Sequence, residues 1–153
     1  ISSESEKLKS VCDRYIGLIR ELNQKYGSDK NIPNEGKDLE DKLQNASKEF
    51  FTIIFTATGN RLLRILGTST QKLRNFRYVE GTREEEEQLV EMEINYLKQV
   101  TEYLISSNAK EAAALARRVY HHSGTMIEKM KNTPIGEKPE LPCWEILKAF
   151  NES

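Results

Sequence analysis

Few side chains in this sequence are spaced for covalent chemistry. The two histidines, His121 and His122, are adjacent, so on a helix they point about 100° apart and do not chelate one ion together. The two cysteines, Cys12 and Cys143, lie far apart without metal-ligand spacing and read as reduced thiols rather than a disulfide. The acidic run Glu84–Glu87 carries charge enough for a cation. It follows Thr82, however, and carboxylates there suit the positive N-terminal end of a helix, with Thr82-x-x-Glu85 as a capping box. No Ser–His–Asp order, buried carboxylate pair, P-loop or Rossmann glycine pattern appears, so neither an enzyme nor a cofactor is expected. What remains is recognition. Arg74 and Arg77, three apart on one helix turn, have the geometry to grip a carboxylate or phosphate, though Arg on a helix also serves simply as solvated surface.

The element organising the chain is the stretch Phe50–Leu63, FFTIIFTATGNRLL. Phe50, Phe51, Ile53, Ile54, Phe55 and Ala57 fall all round a helical period, as in a central, buried helix. Its aromatic bulk suits either a plain core helix or the wall of an internal chamber. Gly59 supplies the left-handed stop and Asn60 can cap the next helix. Ahead of it, Ser3 and Glu6 form a capping box for a first helix with Leu8, Val11, Cys12, Tyr15, Ile19, Leu22 and Tyr26 on one stripe, ended by Gly27. Ser28–Gly36 reads as a loop. The second helix runs from about Lys37 to Thr58, with Leu39, Leu43 and Ala46 inward before the apolar run. A third covers about Arg61–Tyr78. The fourth starts at Thr82 and buries Leu89, Val90, Ile94, Leu97, Val100, Thr101 and Leu104. Asn108 caps a fifth, which carries Ala112, Leu115, Ala116, Val119, Ser123, Met126, Ile127 and Met130. Asn132–Pro142 is a turn-rich linker to a short amphipathic helix, Trp144–Phe150. With Trp144, Leu147 and Phe150 on one face, that helix is either a lid on its own core or an arm onto a second subunit.

Length and composition set the class. At 153 residues the chain fits about one domain with a real core. Lys+Arg 23 against Asp+Glu 24 gives a net charge of −1, which provides no basic field for nucleic acid. A charged fraction of 31% with 4 Pro and 8 Gly suits a helical domain of a reducing, cytoplasmic setting. No apolar run reaches membrane-spanning length. The chain begins at Ile1 and enters a helix at once, as expected of a fragment that has lost an N-terminal partner domain.

The pattern F-F-x-x-I-F-x-A-T-G-N-x-L-L, then an acid-led helix, then S-N-A-K-E-A-A-A-L-A-R-R, resembles the FCD domain. This is the effector-binding, dimer-forming C-terminal domain of GntR-family transcription regulators of the FadR branch. The likeness covers about Lys37–Lys131 and is firmest at A-T-G-N and A-R-R. It implies an all-α antiparallel bundle of about six helices around an internal cavity. On that reading residues 1–131 form the bundle and 132–153 the linker and tail. The winged helix-turn-helix DNA reader that normally precedes the domain is expected outside this chain. The family's usual metal set is one Asp and three His. Here the matching positions hold Ser47 in place of the Asp, and Phe51, Leu97 and Val119 in place of the three His. The resemblance therefore implies a metal-free, apolar floor, as in the fatty-acyl-CoA-responsive members, whose late segment is similar to Ala116–Lys131 with its Ser123-Gly124 pair.

The resulting expectation is a mostly apolar chamber. Phe51, Ile54, Phe55, Leu97, Val119 and Ile127 line it. Thr58, Thr101 and Ser123 are its sparse polar points, and Arg74 and Arg77 stand at its mouth. Its ligand would be a small organic acid or acyl compound, its partner a second copy of the chain, and its link to DNA only the missing N-terminal domain. The alternative is a structural dimerisation module with a filled core and no effector.

Overall fold

The structure, a computed structural model, describes residues 3–27, 33–57, 77–79, 81–108, 110–112, 114–115, 128, 131–137, 140–142, 144–145 and 147–148. The chain divides into two compact units, Ile1–Arg74 and Asn75–Ser153. Its described residues are mostly helical, so the fold is all-α, with one short pair of strands. None of its described helices is long and apolar enough to cross a membrane.

In the first unit, α1 (Ser3–Tyr26) buries Leu8, Val11, Cys12, Tyr15, Ile16 and Ile19. The steps of three and four between them draw one stripe down a 3.6-residue helix. Leu22 and Tyr26, expected on that stripe, are only half-buried near its end. Ser3 is already helical and so is not the cap expected of it. Gly27 ends α1 as its sequence position predicts. It takes φ +56 and donates its N–H to Asn23 O at 2.9 Å, a backbone shape that costs glycine nothing.

Helix α2 (Asn34–Ala57) starts earlier than Lys37. Pro33 has its φ already fixed for a helix start, and its carbonyl accepts the Gly36 N–H at 2.8 Å, which closes the first turn. Asn34, Glu35 and Gly36 are therefore helix rather than loop. Leu39, Ala46 and Phe50 are buried and Leu43 is half-buried, spaced at i, i+4, i+7 and i+11. The two helices run antiparallel by chain geometry. A parallel return along a 24-residue helix spans about 36 Å, and the link from Gly27 to Pro33 reaches about 25 Å at most. Tyr15 packs on Phe50 with ring centroids 6.0 Å apart, and the Arg14 guanidinium pairs with the Glu49 carboxylate beside it.

In the second unit, β1 (Arg77–Val79) and β2 (Glu140–Pro142) pair in parallel, Arg77 with Glu140, Tyr78 with Leu141 and Val79 with Pro142. Arg77 and Tyr78 are thus extended, not the last turn of a helix reaching Tyr78. β-Branched and aromatic residues such as Tyr78 and Val79 favour extended backbone, and Pro142 is tolerated because a two-stranded pair is all edge. The pairing also ties residues 140–142, expected in a linker, into this unit.

Between the strands, α3 (Arg83–Ile105) has the predicted capping box in full. Thr82 Oγ1 accepts the Glu85 N–H at 3.2 Å, and Glu85 Oε2 accepts the Thr82 N–H at 2.8 Å. Glu84, Glu85 and Glu86 occupy the positive first turn, and Arg83 pairs with Glu87 at 3.1 Å. Ile94, Leu97, Val100 and Thr101 are buried. Leu89 and Val90 are half-buried, and Leu104, expected inward, is exposed, because the last turn lies where the chain is about to leave the helix.

The end of α3 is a Schellman turn. The Ser107 N–H reaches Leu104 O at 3.2 Å and the Asn108 N–H reaches Tyr103 O at 2.8 Å, with Ser107 at φ +56. Asn108 then caps the next helix as its position predicts. Its Oδ1 accepts the Glu111 N–H at 3.3 Å and its carbonyl the Ala112 N–H at 3.1 Å. Ala112 and Leu115 are buried in that helix. In the tail, Leu147 is buried but Trp144 is 51% exposed, so Trp144 does not share the inward face assigned to it.

Candidate functional site

The aromatic half of α2 is built on helical spacing. Phe51 meets Phe50 edge to face, with centroids 5.2 Å apart and planes at 81°. It stacks on Phe55, one turn on, at 6.3 Å and 26°. Such pairs add about 0.5–1.5 kcal/mol beyond burial. The burial is uneven. Phe50 has no exposed surface, whereas Phe51, Thr52, Ile53, Ile54 and Phe55 are half-buried and Thr56 is exposed. The expectation of a helix buried on every face is corrected here: apolar content all round sets what a helix can bury, and within this chain only the Phe50 side is fully covered. Phe51, Ile54 and Phe55 remain a contiguous, half-covered apolar strip.

Ser47 lies one turn before Phe51 on the same helix and is half-buried. Ser47 and Phe51 stand at two of the four positions that the FCD resemblance would assign to metal ligands, and Leu97, 2% exposed on α3, stands at a third. None of these three side chains is a usual transition-metal ligand. Among the described residues no group of three or more His, Cys, Asp or Glu is placed to hold a metal.

On α3, Leu97 and Thr101 are one turn apart within the buried stripe that also holds Ile94 and Val100. Thr101 is 5% exposed, and its Oγ1 has no hydrogen-bond partner among the described residues. Apart from the phenol of Tyr15, it is the only buried hydroxyl-, amide- or charge-bearing side chain among those residues. A buried hydroxyl in that state costs a folded chain about 1–3 kcal/mol. Thr52, by contrast, is satisfied within its own helix, donating from Oγ1 to Lys48 O at 2.7 Å.

Of the other expected site residues, Arg77 sits in β1, so the pairing of Arg74 and Arg77 across one helix turn does not hold. Thr58, Arg74, Val119, Ser123 and Ile127, with His121, His122 and Cys143, lie outside the described residues. Cys12 is a buried thiol of the α1 stripe, packed as a small apolar residue rather than placed for reaction. Surface Lys25 holds its proton more tightly than usual, because its ammonium donates a hydrogen bond to the Glu21 carboxylate. It lies at the end of α1, away from the candidate residues. The unsatisfied hydroxyl of Thr101 was not visible in sequence, because a mid-helix Thr ordinarily turns its oxygen back onto the helix. No family model, curated protein or solved structure matches the chain.

Proposed function

We propose that this chain is the ligand-sensing and dimer-forming domain of a cytoplasmic transcription regulator of the GntR family, FadR branch. The reading takes the fold as an antiparallel bundle of about six helices around a metal-free cavity. A small organic acid or acyl compound occupies that cavity and shifts the geometry of a homodimer. DNA is contacted only by an N-terminal domain outside this chain. The observation that carries the reading is the F-F-x-x-I-F-x-A-T-G-N pattern, whose aromatic part lies on α2 with Phe51 at a position where the family projects a metal-binding His. The capped, acid-led α3 and the Asn108-capped helix after it stand in the order the resemblance requires. Coupling of this kind is an energy difference of about 1–3 kcal/mol between two dimer arrangements.

A second reading is a structural dimerisation module without an effector. It is favoured by the filled interior of the α1/α2 hairpin, where Phe50 leaves no exposed surface. Thermal unfolding with and without medium-chain acyl compounds and short hydroxy acids separates the two, since a ligand that binds only the folded state raises the midpoint. The sensor reading expects a concentration-dependent rise with one of these classes. Sedimentation of the same protein as a dimer with no rise from either class would favour the structural module.

A further inference from the structure

We infer that Thr101 is the polar anchor of the ligand site, and that the atom it holds is an uncharged oxygen, as in an alcohol, ester or amide, rather than a carboxylate. This rests on the sensor reading above.

Two threonines in the interiors of α2 and α3 behave differently. Thr52 donates its hydroxyl to the carbonyl four residues back, at 2.7 Å. Thr101 has the same option toward Leu97 and does not use it, although it is 5% exposed and its oxygen is shut away from water. A valine has the same branched shape and would fill the position without an unmet hydrogen bond. A hydroxyl at this position is explained by a partner that the free chain does not supply.

The neighbours on α3 limit what that partner is. Ile94, Leu97 and Val100 are buried hydrocarbon, and among the described residues no charged side chain is buried. A carboxylate brought to Thr101 would have one hydroxyl to meet it and no counter-charge from this helix, which is a costly way to bury a full charge. An uncharged oxygen needs only the one hydrogen bond that Thr101 offers, and its hydrocarbon chain can lie along the Ile94 and Leu97 stripe. An acidic head, where a ligand has one, must find its cation elsewhere.

The test uses the full chain, wild type, T101V and T101S, with 1-octanol as probe and sodium octanoate as counter-probe, read by calorimetry and by the unfolding midpoint without ligand. Without ligand, T101V should melt about 2–4 °C above wild type, because it removes an unmet polar group. With 1-octanol, T101V should bind about 2–10-fold more weakly than wild type, the range for one neutral hydrogen bond, and T101S should recover most of the loss. Octanoate should bind wild type more weakly than octanol does. A T101V midpoint well below wild type would show the hydroxyl already bonded in the free chain and overturn the inference. Equal octanol affinity for T101V and wild type would overturn the anchor while leaving the sensor reading standing. If neither probe binds wild type, the sensor reading fails for this ligand class and the anchor fails with it.

Discussion

The rings of Tyr15 and Phe50 lie 6.0 Å apart with their planes at 47°, and this contact joins α1 to α2 at the one residue of the aromatic run that has no exposed surface. Beside it, Arg14 pairs with Glu49 across the same two helices. Both Arg14 and Glu49 are substantially exposed, and exposed pairs of this kind contribute about 0–1 kcal/mol. Of these two contacts the buried ring pair contributes more to the hairpin than the exposed ion pair.

Phe50→Ala should lower unfolding free energy by about 3–5 kcal/mol, the range for deleting a buried aromatic side chain. Phe51→Ala, one position along but half-buried, should lower it by clearly less. Urea unfolding of both variants checks this. Equal losses would mean that Phe51 is as deeply packed in solution as Phe50.

Much of the fold can be read from local chemistry alone. Gly27 stops α1, Thr82 and Glu85 start α3, and Asn108 starts the next helix, because each signal is a short-range hydrogen bond or a permitted φ. The α1 stripe follows from spacing. The signals that misled were those needing tertiary information. Apolar residues all round Phe50–Ala57 promise burial, but coverage depends on what packs there. Arg77 and Tyr78 continue a helical pattern, yet a partner strand over sixty residues later in the chain claims them. Of the candidate site, the aromatic strip on α2 and the stripe on α3 were legible as helix faces. The unmet Thr101 hydroxyl was not, because no sequence pattern encodes the absence of a back-bond.

Ser107→Gly should stabilise the protein by about 1 kcal/mol. Ser107 holds φ +56, where a Cβ crowds the following carbonyl, and glycine relieves that crowding while the two Schellman hydrogen bonds remain. Ser106→Gly is the control. Ser106 has φ −80, so glycine there removes no strain, loosens the unfolded chain and should not stabilise. A rise in midpoint for Ser106→Gly equal to that for Ser107→Gly would refute the strain argument.

Thr82→Ala should destabilise by about 1 kcal/mol through loss of one half of the capping box, and Thr82→Ser should restore most of it. Calorimetric melting of the three proteins gives the comparison. If alanine and serine behave alike, the hydroxyl is not satisfying the Glu85 N–H in solution.

Gly136→Ala tests a turn whose strain is purely backbone. The Glu137 N–H meets Pro134 O at 3.1 Å, and Gly136, third of the four turn residues, sits at φ +94, as a type II turn requires. A Cβ added to Gly136 would meet nothing within 4 Å, so any loss comes from φ and not from a clash. The expected loss is about 1 kcal/mol. Ile135, fully exposed at the tip, should accept serine with a change within about 0.5 kcal/mol. A larger effect at Ile135 than at Gly136 would mean that the tip is covered in solution.

The proposed sensor reading expects no metal in its site, and this gives the last test. Ser47 and Phe51 stand one turn apart on α2 and Leu97 is buried on α3, and these positions carry a hydroxyl, an aromatic ring and an aliphatic chain. Divalent transition ions need nitrogen, thiolate or carboxylate ligands in threes and fours. Adjacent His121 and His122 would supply no such set if helical, because about 100° separates neighbouring side chains on a helix. Protein purified without a histidine tag should carry well under one equivalent of zinc, nickel or manganese by elemental analysis. Its unfolding midpoint should be unchanged by EDTA, because a metal bound only to the folded state would add RT ln(1 + [L]/Kd) to stability and chelation would remove it. A near-stoichiometric metal together with a midpoint that falls on chelation would overturn the apolar-floor reading.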